Sequence, residues 1–375
     1  MKTTTSPTSS CRSGSPVSGA PPADLIVSTV SLRNFRSYAK LELSLDPGLV
    51  LVVGPNGAGK TNLLESLHVG TQGFSPRTRA DAQLIRFGEN AARVTLGGRR
   101  GQTQVQLRVD LAVDAGKKAT VNGAPLRAAE QLRGEAATLV FTPDRLAVVK
   151  GGPAVRRAYF DRTLGRLSPA RAQLAAEYGA AVAQRNAGLR RIAAGYSARE
   201  SLAPWTERVA ALGTELVLAR REAIASLVAP FAARAEELGL PECDLRYSGT
   251  PPTREALEAR LEQELERGVT GIGPHLDEFA IVAGPRELRS FGSQGEQRLA
   301  VLSLLLAEAE LISDRRGIPP LLLLDDVLSE LDPDRRRLLA SRVAAHGQAL
   351  VTATDASSLP TEPAQLLRVR AGEVS

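Results

Sequence analysis

The stretch that decides the fold is residues 54–61, which read GPNGAGKT. A continuously apolar run at residues 49–53 precedes it and is typical of a strand covered on both faces. The segment NLLESLHVG follows and has the pattern of a helix. A strand, a glycine-bearing loop and a helix in this order predict a phosphate-binding loop, in which backbone N–H groups and the helix N-terminus surround an anion.

The residue types in this loop suit a triphosphate with a metal ion. Glycine at positions 54 and 59 lets the backbone turn without Cβ clashes. Lys60 is placed to neutralise charge on the β- and γ-phosphates during catalysis, and the Thr61 hydroxyl is placed to hold Mg²⁺. The predicted nucleotide contacts here are Gly54, Pro55, Asn56, Gly57, Ala58, Gly59, Lys60, Thr61 and Asn62.

A second motif, at residues 321–326, reads LLLLDD. The apolar run predicts a buried strand that ends in two carboxylates. In a chain with a phosphate loop, Asp325 is placed to hold Mg²⁺ together with Thr61. Asp326 is placed to orient or deprotonate the attacking water, so it is the second predicted catalytic residue after Lys60.

A third motif, at residues 293–298, reads SQGEQR. Ser293 with Glu296 three residues later forms a capping box, so a well-capped helix is the simplest interpretation. A cap does not require Gly295, which leaves the turn open to a ligand. Serine hydroxyl, glycine N–H and helix N-terminus together predict a second anion receptor. It is redundant within one chain, but in a symmetric dimer it closes the other copy's phosphate pocket, with ATP between the subunits.

Length and composition limit the function classes. The chain has 375 residues, 43% hydrophobic and 23% charged, which suits two or three domains. It has 47 Lys and Arg against 41 Asp and Glu, a basic balance that permits nucleic-acid binding. Two cysteines predict no disulfide framework, and no apolar run reaches the roughly 18–20 residues of a membrane span. We expect a cytoplasmic protein with no membrane partner, and a disordered tail over residues 1–23.

Hydrophobic periodicity divides the rest of the chain into two kinds of segment. Residues 92–125 alternate as antiparallel strands do, with predicted turns at residues 97–98, 114–116 and 122–123. Residues 165–268 are rich in alanine, leucine, arginine and glutamate and predict a helical arm. Pro169, Pro204 and Pro230 are each expected to mark the start or the end of a helix in this arm.

Together with the loop at residues 329–332, these three motifs resemble the set of sequence motifs found in ABC-type ATPases. More narrowly, the chain resembles the RecF family of bacterial recombination mediators. This resemblance rests on LRNFRSY at 32–38, GPNGAGKTN at 54–62, FTPD at 141–144, the glycine, arginine and aspartate pattern over 152–161, GPH at 273–275, FGSQGEQR at 291–298 and LLLLDDVLSELD at 321–332. The arm matches the family in length and character only.

The resemblance implies an α/β fold: a P-loop ABC-type ATPase head, with a mixed sheet and a β subdomain, interrupted by an inserted α-helical arm. The head is expected over residues 24–164 and 269–375. The resemblance also implies ATP and Mg²⁺ as cofactors, nucleotide contacts at Arg36 and Asp332, and an ATP-dependent homodimer on DNA. It implies RecR and RecO as partners in loading recombinase onto gapped DNA.

Three positions depart from the usual pattern. Asp326 stands where ABC-type ATPases usually have the longer glutamate, so we expect slow hydrolysis and ATP acting mainly as a clamp. The switch histidine after the last strand is missing, and Thr352 or Thr354 is the candidate substitute. Leu276 replaces the arginine that usually follows Gly-Pro-His. His275 is interpreted as a structural histidine in a turn. The alternative is a role near the SQGEQR motif at residues 293–298 or near DNA.

Two groups of arginines are candidates for DNA contact, and ordinary solvated surface charge is the alternative for each. The first group consists of Arg77, Arg79, Arg86, Arg93, Arg99 and Arg100. The second lies at the base of the arm and consists of Arg156, Arg157, Arg162, Arg166, Arg171, Arg185, Arg190 and Arg191. Aromatic residues make up only 4% of the chain, so contact with duplex phosphates is favoured over stacking on single strands.

The leading hypothesis is an ATP-dependent DNA-binding protein of recombinational repair, with weak ATPase activity. The ATP-driving subunit of a transporter is one alternative, which the helical arm and the missing switch histidine disfavour. An SMC-like chromosome-organising ATPase is another, but the arm is too short and too interrupted by prolines for a long coiled coil.

Overall fold

The computed structural model describes residues 25–317, 319–329, 331–345, 347–370 and 373–375. The tail predicted over residues 1–23 lies outside the described residues, as does Glu330 in the loop at residues 329–332. Among the helices of the described part of the chain, none has the length and apolar character needed to cross a membrane.

Strands and helices alternate along the chain in two α/β blocks separated by a mostly helical one. The strands are β1 (Leu25–Phe35), β2 (Tyr38–Ser44), β3 (Leu49–Val53), β4 (Ala91–Arg100), β5 (Thr103–Ala112), β6 (Gly116–Val121), β7 (Ala124–Pro125), β8 (Thr138–Phe141), β9 (Cys243–Ser248), β10 (Glu278–Ala283), β11 (Arg286–Glu287), β12 (Leu321–Leu324), β13 (Ala349–Ala353), β14 (Gln365–Arg370) and β15 (Glu373–Val374). The helices are α1 (Lys60–Gln72), α2 (Ala147–Lys150), α3 (Pro153–Leu167), α4 (Leu174–Ala193), α5 (Ala203–Glu237), α6 (Arg254–Ala259), α7 (Leu261–Arg267), α8 (Leu288–Phe291), α9 (Gln294–Arg316) and α10 (Pro333–Ala345).

The sheet that positions the candidate site has the strand order β15-β14-β3-β13-β12-β8. Its pairings are parallel except for β14 with β15, so the sheet is mixed. Alternate residues of β3 enter two different hydrophobic cores, one on each face, which explains the unbroken apolar run. Because parallel strands end at the same edge, the residues that follow β3, β12 and β13 meet there.

A second sheet, β2-β1-β4-β5-β6-β7, is antiparallel throughout and forms the predicted β subdomain. The turn predicted at residues 97–98 is wrong, because both glycines lie inside β4 and the chain reverses after Arg100. Gly97 faces the Thr29 hydroxyl where the register of β1 shifts, and a Cβ at Gly97 would collide with it. The glycine therefore permits close strand approach at a bulge and does not make a turn.

The interval predicted as a helical arm, residues 165–268, is mostly helical but also contains β9. This strand pairs with β10, which follows the interval, in a third sheet of order β11-β10-β9. After Thr253 the interval continues as two short helices, α6 and α7, which are divided at Arg260. The boundaries of the arm and of the two head segments remain predictions.

Helix α5 has 35 residues and contains Pro230, so the helix boundary predicted at this proline is wrong. In the first part of α5, Val209 and Leu216 lie in a hydrophobic cluster with Leu174 of α4. From Ile224 onward, the buried residues of α5 join the main core together with α9. Burial of this second part outweighs the backbone hydrogen bond that the proline cannot make.

A buried ion pair fixes α4 against α7. The side chains of Arg185 and Glu264 are 1% and 2% exposed. Nη1 of Arg185 donates to Glu264 Oε2 at 2.6 Å and to Thr270 Oγ1 at 2.8 Å, and Nε donates to Thr206 Oγ1 at 3.2 Å. Because the pair is removed from water, each charge depends on the other for compensation.

We expect Arg185→Met to lower the free energy of unfolding by about 3–5 kcal/mol, because it leaves the Glu264 carboxylate buried without its partner. The double variant Arg185→Met/Glu264→Leu is the matched control, and we expect it to recover most of the loss. Urea unfolding followed by circular dichroism measures both variants. A double variant as unstable as the single one would show that packing causes the loss and charge does not.

A buried histidine lies on α1. His68 is 2% exposed, and its Nδ1 lies 2.9 Å from the carbonyl oxygen of Phe74. Burial lowers the pKa of His68 to about 3, and the positive charges of Arg145, Arg166 and Arg133 act in the same direction. The ring is therefore neutral in the folded chain at neutral pH, whereas in the unfolded chain it gains a proton below about pH 6.5.

The contribution of His68 to stability should depend on pH. Its folded-state pKa lies below the unfolded value, so the contribution is present above about pH 6.5 and is lost as the pH falls towards 3, by about 1.4 kcal/mol per unit. His68→Asn keeps an N–H donor for the Phe74 carbonyl and removes the titrating ring. Urea unfolding of both proteins between about pH 7 and pH 5 should show wild type losing stability faster. Parallel profiles would contradict this account.

Candidate functional site

The phosphate loop connects β3 to α1, and its last residue, Gly59, is the N-cap of the helix. Gly59 has φ 116°, in the left-handed region that favours glycine, and no described side chain caps α1. A Cβ at Gly59 would lie 3.0 Å from Ser37 Oγ and 3.1 Å from Tyr38 OH. The first N–H groups of α1 are therefore available to a ligand, and the helix dipole favours an anion there.

Lys60 is folded back over the loop. Its Nζ donates to the carbonyl oxygens of Gly54 at 2.6 Å and Pro55 at 3.0 Å, and the residue is 8% exposed. Burial lowers the pKa of Lys60, while the charges of Asp326 and Asp325 raise it. The structure thus brings the loop, the lysine and both strand-end aspartates into one group.

Asp325 joins three elements at the edge of the mixed sheet. The residue is 6% exposed, and its backbone N–H donates to Phe141 O at the end of β8 at 2.9 Å. The Thr61 hydroxyl on α1 lies 2.9 and 3.0 Å from its two carboxylate oxygens. The Thr352 hydroxyl on β13 donates to Oδ1 at 2.8 Å. No local pattern in the sequence predicts this contact with Thr352, because it joins two strands that are separated in the chain by a helix.

Asp326 lies next to this carboxylate but in a different environment. It is exposed, and its backbone has φ 49°, a left-handed conformation that aspartate tolerates better than most residues. Its N–H donates to Thr352 Oγ1 at 2.9 Å, so one hydroxyl positions both aspartates. The side chain of Thr352 is therefore engaged inside the sheet edge, whereas Thr354, the other candidate for the switch-histidine role, is exposed.

These donors suit a small divalent cation that takes only one or two ligands from the protein and the rest from water and phosphate oxygens. The carboxylate of Asp325 and the hydroxyl of Thr61 are hard oxygen donors, as Mg²⁺ prefers. Among the described residues, no group of three or more histidine, cysteine, aspartate or glutamate side chains forms a metal cage. Mg²⁺ is typically bound by one or two protein oxygens together with substrate phosphates, and this site fits that pattern.

Arg36, a predicted nucleotide contact, is held by an ion pair that the sequence did not reveal. Its Nε and Nη2 each donate to the buried carboxylate of Glu65 on α1 at 2.9 Å, and Nη1 donates to Gln83 O at 2.8 Å. Beside it, Asn62 Nδ2 donates to Ser37 Oγ at 3.0 Å. The β1–β2 turn is thus tied to the helix that follows the phosphate loop.

The predicted capping box at the start of α9 is present. Glu296 N donates to Ser293 Oγ at 3.2 Å, and Ser293 N donates to Glu296 Oε2 at 2.7 Å. Ser293 and Gly295 are both exposed, and a Cβ at Gly295 would have only Ser293 Oγ within 4 Å, at 3.9 Å. The turn is therefore open to an outside molecule, while the helix behind it is buried.

The turn at Ser293 and the phosphate loop are two separate surfaces of the chain. In front of the turn lies a groove of about 560 Å³ that is lined by Ser293, Gly295, Glu296 and Arg335, but by no residue of the loop. Asp332 belongs to this second surface, because it accepts from Arg335 N at 2.9 Å and pairs with the Arg335 guanidinium at 2.9 Å. Among the described residues, no hydrogen bond or ion pair joins the turn to the loop.

Most of the arginines at the base of the arm have partners within the fold, which disfavours their interpretation as one DNA-binding cluster. Arg156 pairs with Glu278 and Arg166 with Glu308, and Arg185 forms the buried pair described above. These carboxylates lie far away in the sequence, and a count of local charges missed them. Three further members have acceptors: Arg157 with Asp277 O, Arg171 with Glu222, and Arg190 with Gly268 O.

Most of the first arginine group is also engaged, and Arg79 is its exposed member with no acceptor among the described residues. The observed partners are Glu65 and Asn62 for Arg77, Ser37 O for Arg86, Asp110 for Arg93, Gln102 for Arg99 and Glu135 for Arg100.

His275 has the structural role that its sequence context favours. Its Nδ1 lies 2.8 Å from Tyr178 OH and its Nε2 lies 3.0 Å from Thr270 O, so both ring nitrogens are occupied. Burial lowers the pKa of His275. The neighbouring Leu276 is 58% exposed and offers no group that could replace the arginine usual at this position.

Comparison with known proteins identifies the family. The family model described as RecF/RecN/SMC N terminal domain matches residues 26–373. The "DNA replication and repair protein RecF" of Heliobacterium modesticaldum is 35% identical over 93% of this chain and 98% of its own length. The protein of the same name from Symbiobacterium thermophilum is 37% identical over 93% of this chain and 98% of its own length.

Solved structures agree with this assignment. The recombination mediator protein RecF, solved as RecF-ATP in the RecFOR pathway, superposes with a TM-score of 0.84 and 26% identity, over 94% of this chain and 98% of the other. An Smc head domain from Pyrococcus furiosus gives a TM-score of 0.56 at 17% identity, over 94% of this chain and 95% of the other, which shows a shared fold. With its family model, its relatives and its fold in agreement, this chain belongs to the RecF family.

Proposed function

We propose that this chain is an ATP-binding protein of DNA repair that dimerises when ATP is bound and binds DNA as a dimer. One observation carries the proposal: the chain has two open helix N-termini suited to an anion, and no described hydrogen bond, ion pair or groove joins them within one subunit. The first is the open N-terminus of α1 with Lys60 and Asp325, and the second is the exposed turn at Ser293. Two copies related by a two-fold axis would place each surface against the other.

The residues of the phosphate loop would perform the binding step. The uncapped N–H groups of α1 would donate to the β- and γ-phosphates, and Lys60 would exchange its two carbonyl acceptors for phosphate oxygens. Thr61 and Asp325 would hold Mg²⁺, which neutralises charge on the triphosphate when bound. Thr352 would keep Asp325 in place through its hydroxyl.

The turn at Ser293 would supply the contact that depends on the second subunit. Its hydroxyl and the N–H of Gly295 are exposed, and the macrodipole of α9, a helix of 23 residues, favours an anion at this end. Glu296, in the SQGEQR motif, and Asp332, in the loop at residues 329–332, are the other nucleotide contacts proposed for this surface. Relatives named for DNA replication and repair, and a RecF solved with ATP, support this assignment.

Asp326 would act on the attacking water, and its short side chain supports slow turnover. Its backbone N–H donates to Thr352, and together with the φ of 49° this hydrogen bond fixes the position and direction of the Cα–Cβ bond. A side chain one methylene shorter than glutamate reaches less far from that fixed origin. ATP would then act mainly as a clamp between subunits, with RecR, RecO and recombinase loading on gapped DNA as the further steps that the family suggests.

Thr352→Val tests the proposed metal site. The valine has nearly the same shape but removes the donor to Asp325 and leaves the Asp326 N–H without its acceptor. We expect affinity for ATP with Mg²⁺ to fall by about 10- to 100-fold, as for other outer-shell ligands of metals. Affinity for ATP in excess chelator should change by less than about twofold, because the Thr352 hydroxyl contacts the two aspartates and would act on the nucleotide only through the metal. Titration calorimetry measures both affinities.

Thr103→Val is the matched control for this test, because Thr103 is exposed at the start of β5 in the antiparallel sheet and belongs to neither candidate surface. Its affinity for ATP with Mg²⁺ should equal that of wild type. If Thr352→Val binds ATP with Mg²⁺ as tightly as the control does, Asp325 does not hold the metal in the way proposed here.

A pair of substitutions at Ser293 tests the dimer. Asparagine and aspartate both cap helices as well as serine does, so α9 should stay intact in both variants. Ser293→Asp places a negative charge against the triphosphate of the facing subunit, whereas Ser293→Asn is neutral. On addition of ATP and Mg²⁺, the molar mass of wild type and of Ser293→Asn should double, whereas Ser293→Asp should remain a monomer. Light scattering measures the molar mass.

Gapped DNA provides the second measurement on the same proteins. Wild-type affinity should rise with ATP, and Ser293→Asp should bind ATP normally yet show no rise. Dimerisation of the Ser293→Asp variant at wild-type concentrations, or a nucleotide-loaded wild type that stays single at any concentration, would refute the proposed dimer.

A further inference from the structure

A second basic pocket lies beside the carboxyl end of β8, in a cleft of about 350 Å³. The segment that follows α1 forms one wall, and the segment from the end of β8 to α3 forms the other. We call it the arginine pocket and define it by Arg77, Arg79, Thr142, Asp144, Arg145 and Arg162. The residues that line it do not include the phosphate loop, so it is distinct from the candidate ATP site.

Two guanidinium groups of the arginine pocket lack an acceptor among the described residues. Arg145 and Arg162 are both half-buried, and neither side chain makes a hydrogen bond or an ion pair there. Arg145 lies over the ring of Tyr159, with 6.0 Å between the guanidinium carbon and the ring centre. Arginines that are withdrawn from water normally have a carboxylate or phosphate partner.

The nearest buried carboxylate is already occupied. Glu308 of α9 pairs with Arg166 and accepts hydrogen bonds from Tyr159 OH and Thr163 Oγ1, both at 3.3 Å. Burial lowers the pKa of Arg145, and burial with the charges of Arg145 and Arg166 lowers that of Arg162 to about 10. The pocket therefore holds an excess of positive charge that the protein itself does not neutralise.

We propose that the arginine pocket binds a phosphate group through Arg145 and Arg162, and that the backbone of DNA supplies this phosphate. Two guanidinium forks suit the tetrahedral oxygens of a phosphate, and Arg79 at the rim adds a third positive charge. Asp144, which is exposed, is the one carboxylate among the described residues that line the pocket. The choice of DNA as the source rests on the function proposed above.

Arg77 gives this pocket a direct link to the nucleotide site. Its side chain lines the pocket, while its Nη1 donates to Asn62 Oδ1 and to Glu65 Oε2, both at 3.3 Å. Asn62 directly follows Thr61 on α1. Glu65, on the same helix, forms the ion pair with Arg36. A phosphate in the pocket would thus be linked through Arg77 to the helix that carries the nucleotide site.

The test uses the full chain with Arg145→Gln/Arg162→Gln, and Arg208→Gln/Arg267→Gln as a control that removes the same charge from exposed positions on the arm. Binding of a gapped duplex with ATP and Mg²⁺ is measured by fluorescence anisotropy over a series of salt concentrations. We expect the pocket variant to bind about tenfold more weakly than the control near 0.1 M salt, with a salt slope smaller by about one. ATP affinity should equal that of wild type.

A second measurement separates the two sources of phosphate. Thermal unfolding is followed with saturating ATP and Mg²⁺, so that the phosphate loop is occupied, while inorganic phosphate replaces chloride at constant ionic strength. The unfolding midpoint of wild type and of the control should rise with phosphate, and that of the pocket variant should not. Without phosphate, the pocket variant should be at least as stable as wild type, because two crowded charges have been removed.

The outcomes are distinct. Loss of both the DNA effect and the phosphate effect in the pocket variant supports the proposal as stated. Loss of the phosphate effect alone supports the pocket but assigns it to a free phosphate, and overturns DNA as the source. If wild type binds no DNA while the phosphate effect persists, the proposed function fails and the pocket stands. A pocket variant that matches the control in both measurements overturns the proposal.

Discussion

The buried carboxylate of Asp325 is the interaction on which the candidate site depends. It lies at the end of β12 between a hydroxyl of α1 and a hydroxyl of β13, and its N–H is bonded to the end of β8. A buried charge of this kind is stable only while its partners stay in place. A single residue therefore links the phosphate-loop helix to three parallel strands, through its carboxylate to α1 and β13 and through its backbone N–H to β8.

The second candidate surface depends on a different set of contacts. Helix α9 carries the turn at Ser293 at its exposed end and is otherwise buried in the main core. Inside that core, Glu308 of α9 is satisfied by Arg166 and Tyr159 of α3, so a charge as well as apolar packing fixes the helix. The exposed turn is thus presented on a rigid element, which favours precise recognition of a ligand from another molecule.

Sequence patterns were reliable where a local cause was sufficient. The phosphate loop, the capping box at Ser293 and the antiparallel subdomain follow from glycine conformations, cap chemistry and alternation, which act within a few residues. Patterns failed where distant packing decided the result. Pro230 lies within α5 because its neighbours are buried against α9, and Gly97 lies within a strand because Thr29 approaches it closely.

By itself, the sequence determined the phosphate loop, the pair of aspartates after a buried strand, the capped turn and the family. Tertiary structure alone decided which charges are free. In the sequence alone, a basic surface is predicted from Arg156, Arg166 and Arg185, but in the fold each forms an ion pair with a carboxylate that is distant in the chain. Among the described residues, Arg145 and Arg162 have no such partner. The physical reason is that charge compensation acts over a few ångströms in space, and separation along the chain carries almost no information about that distance.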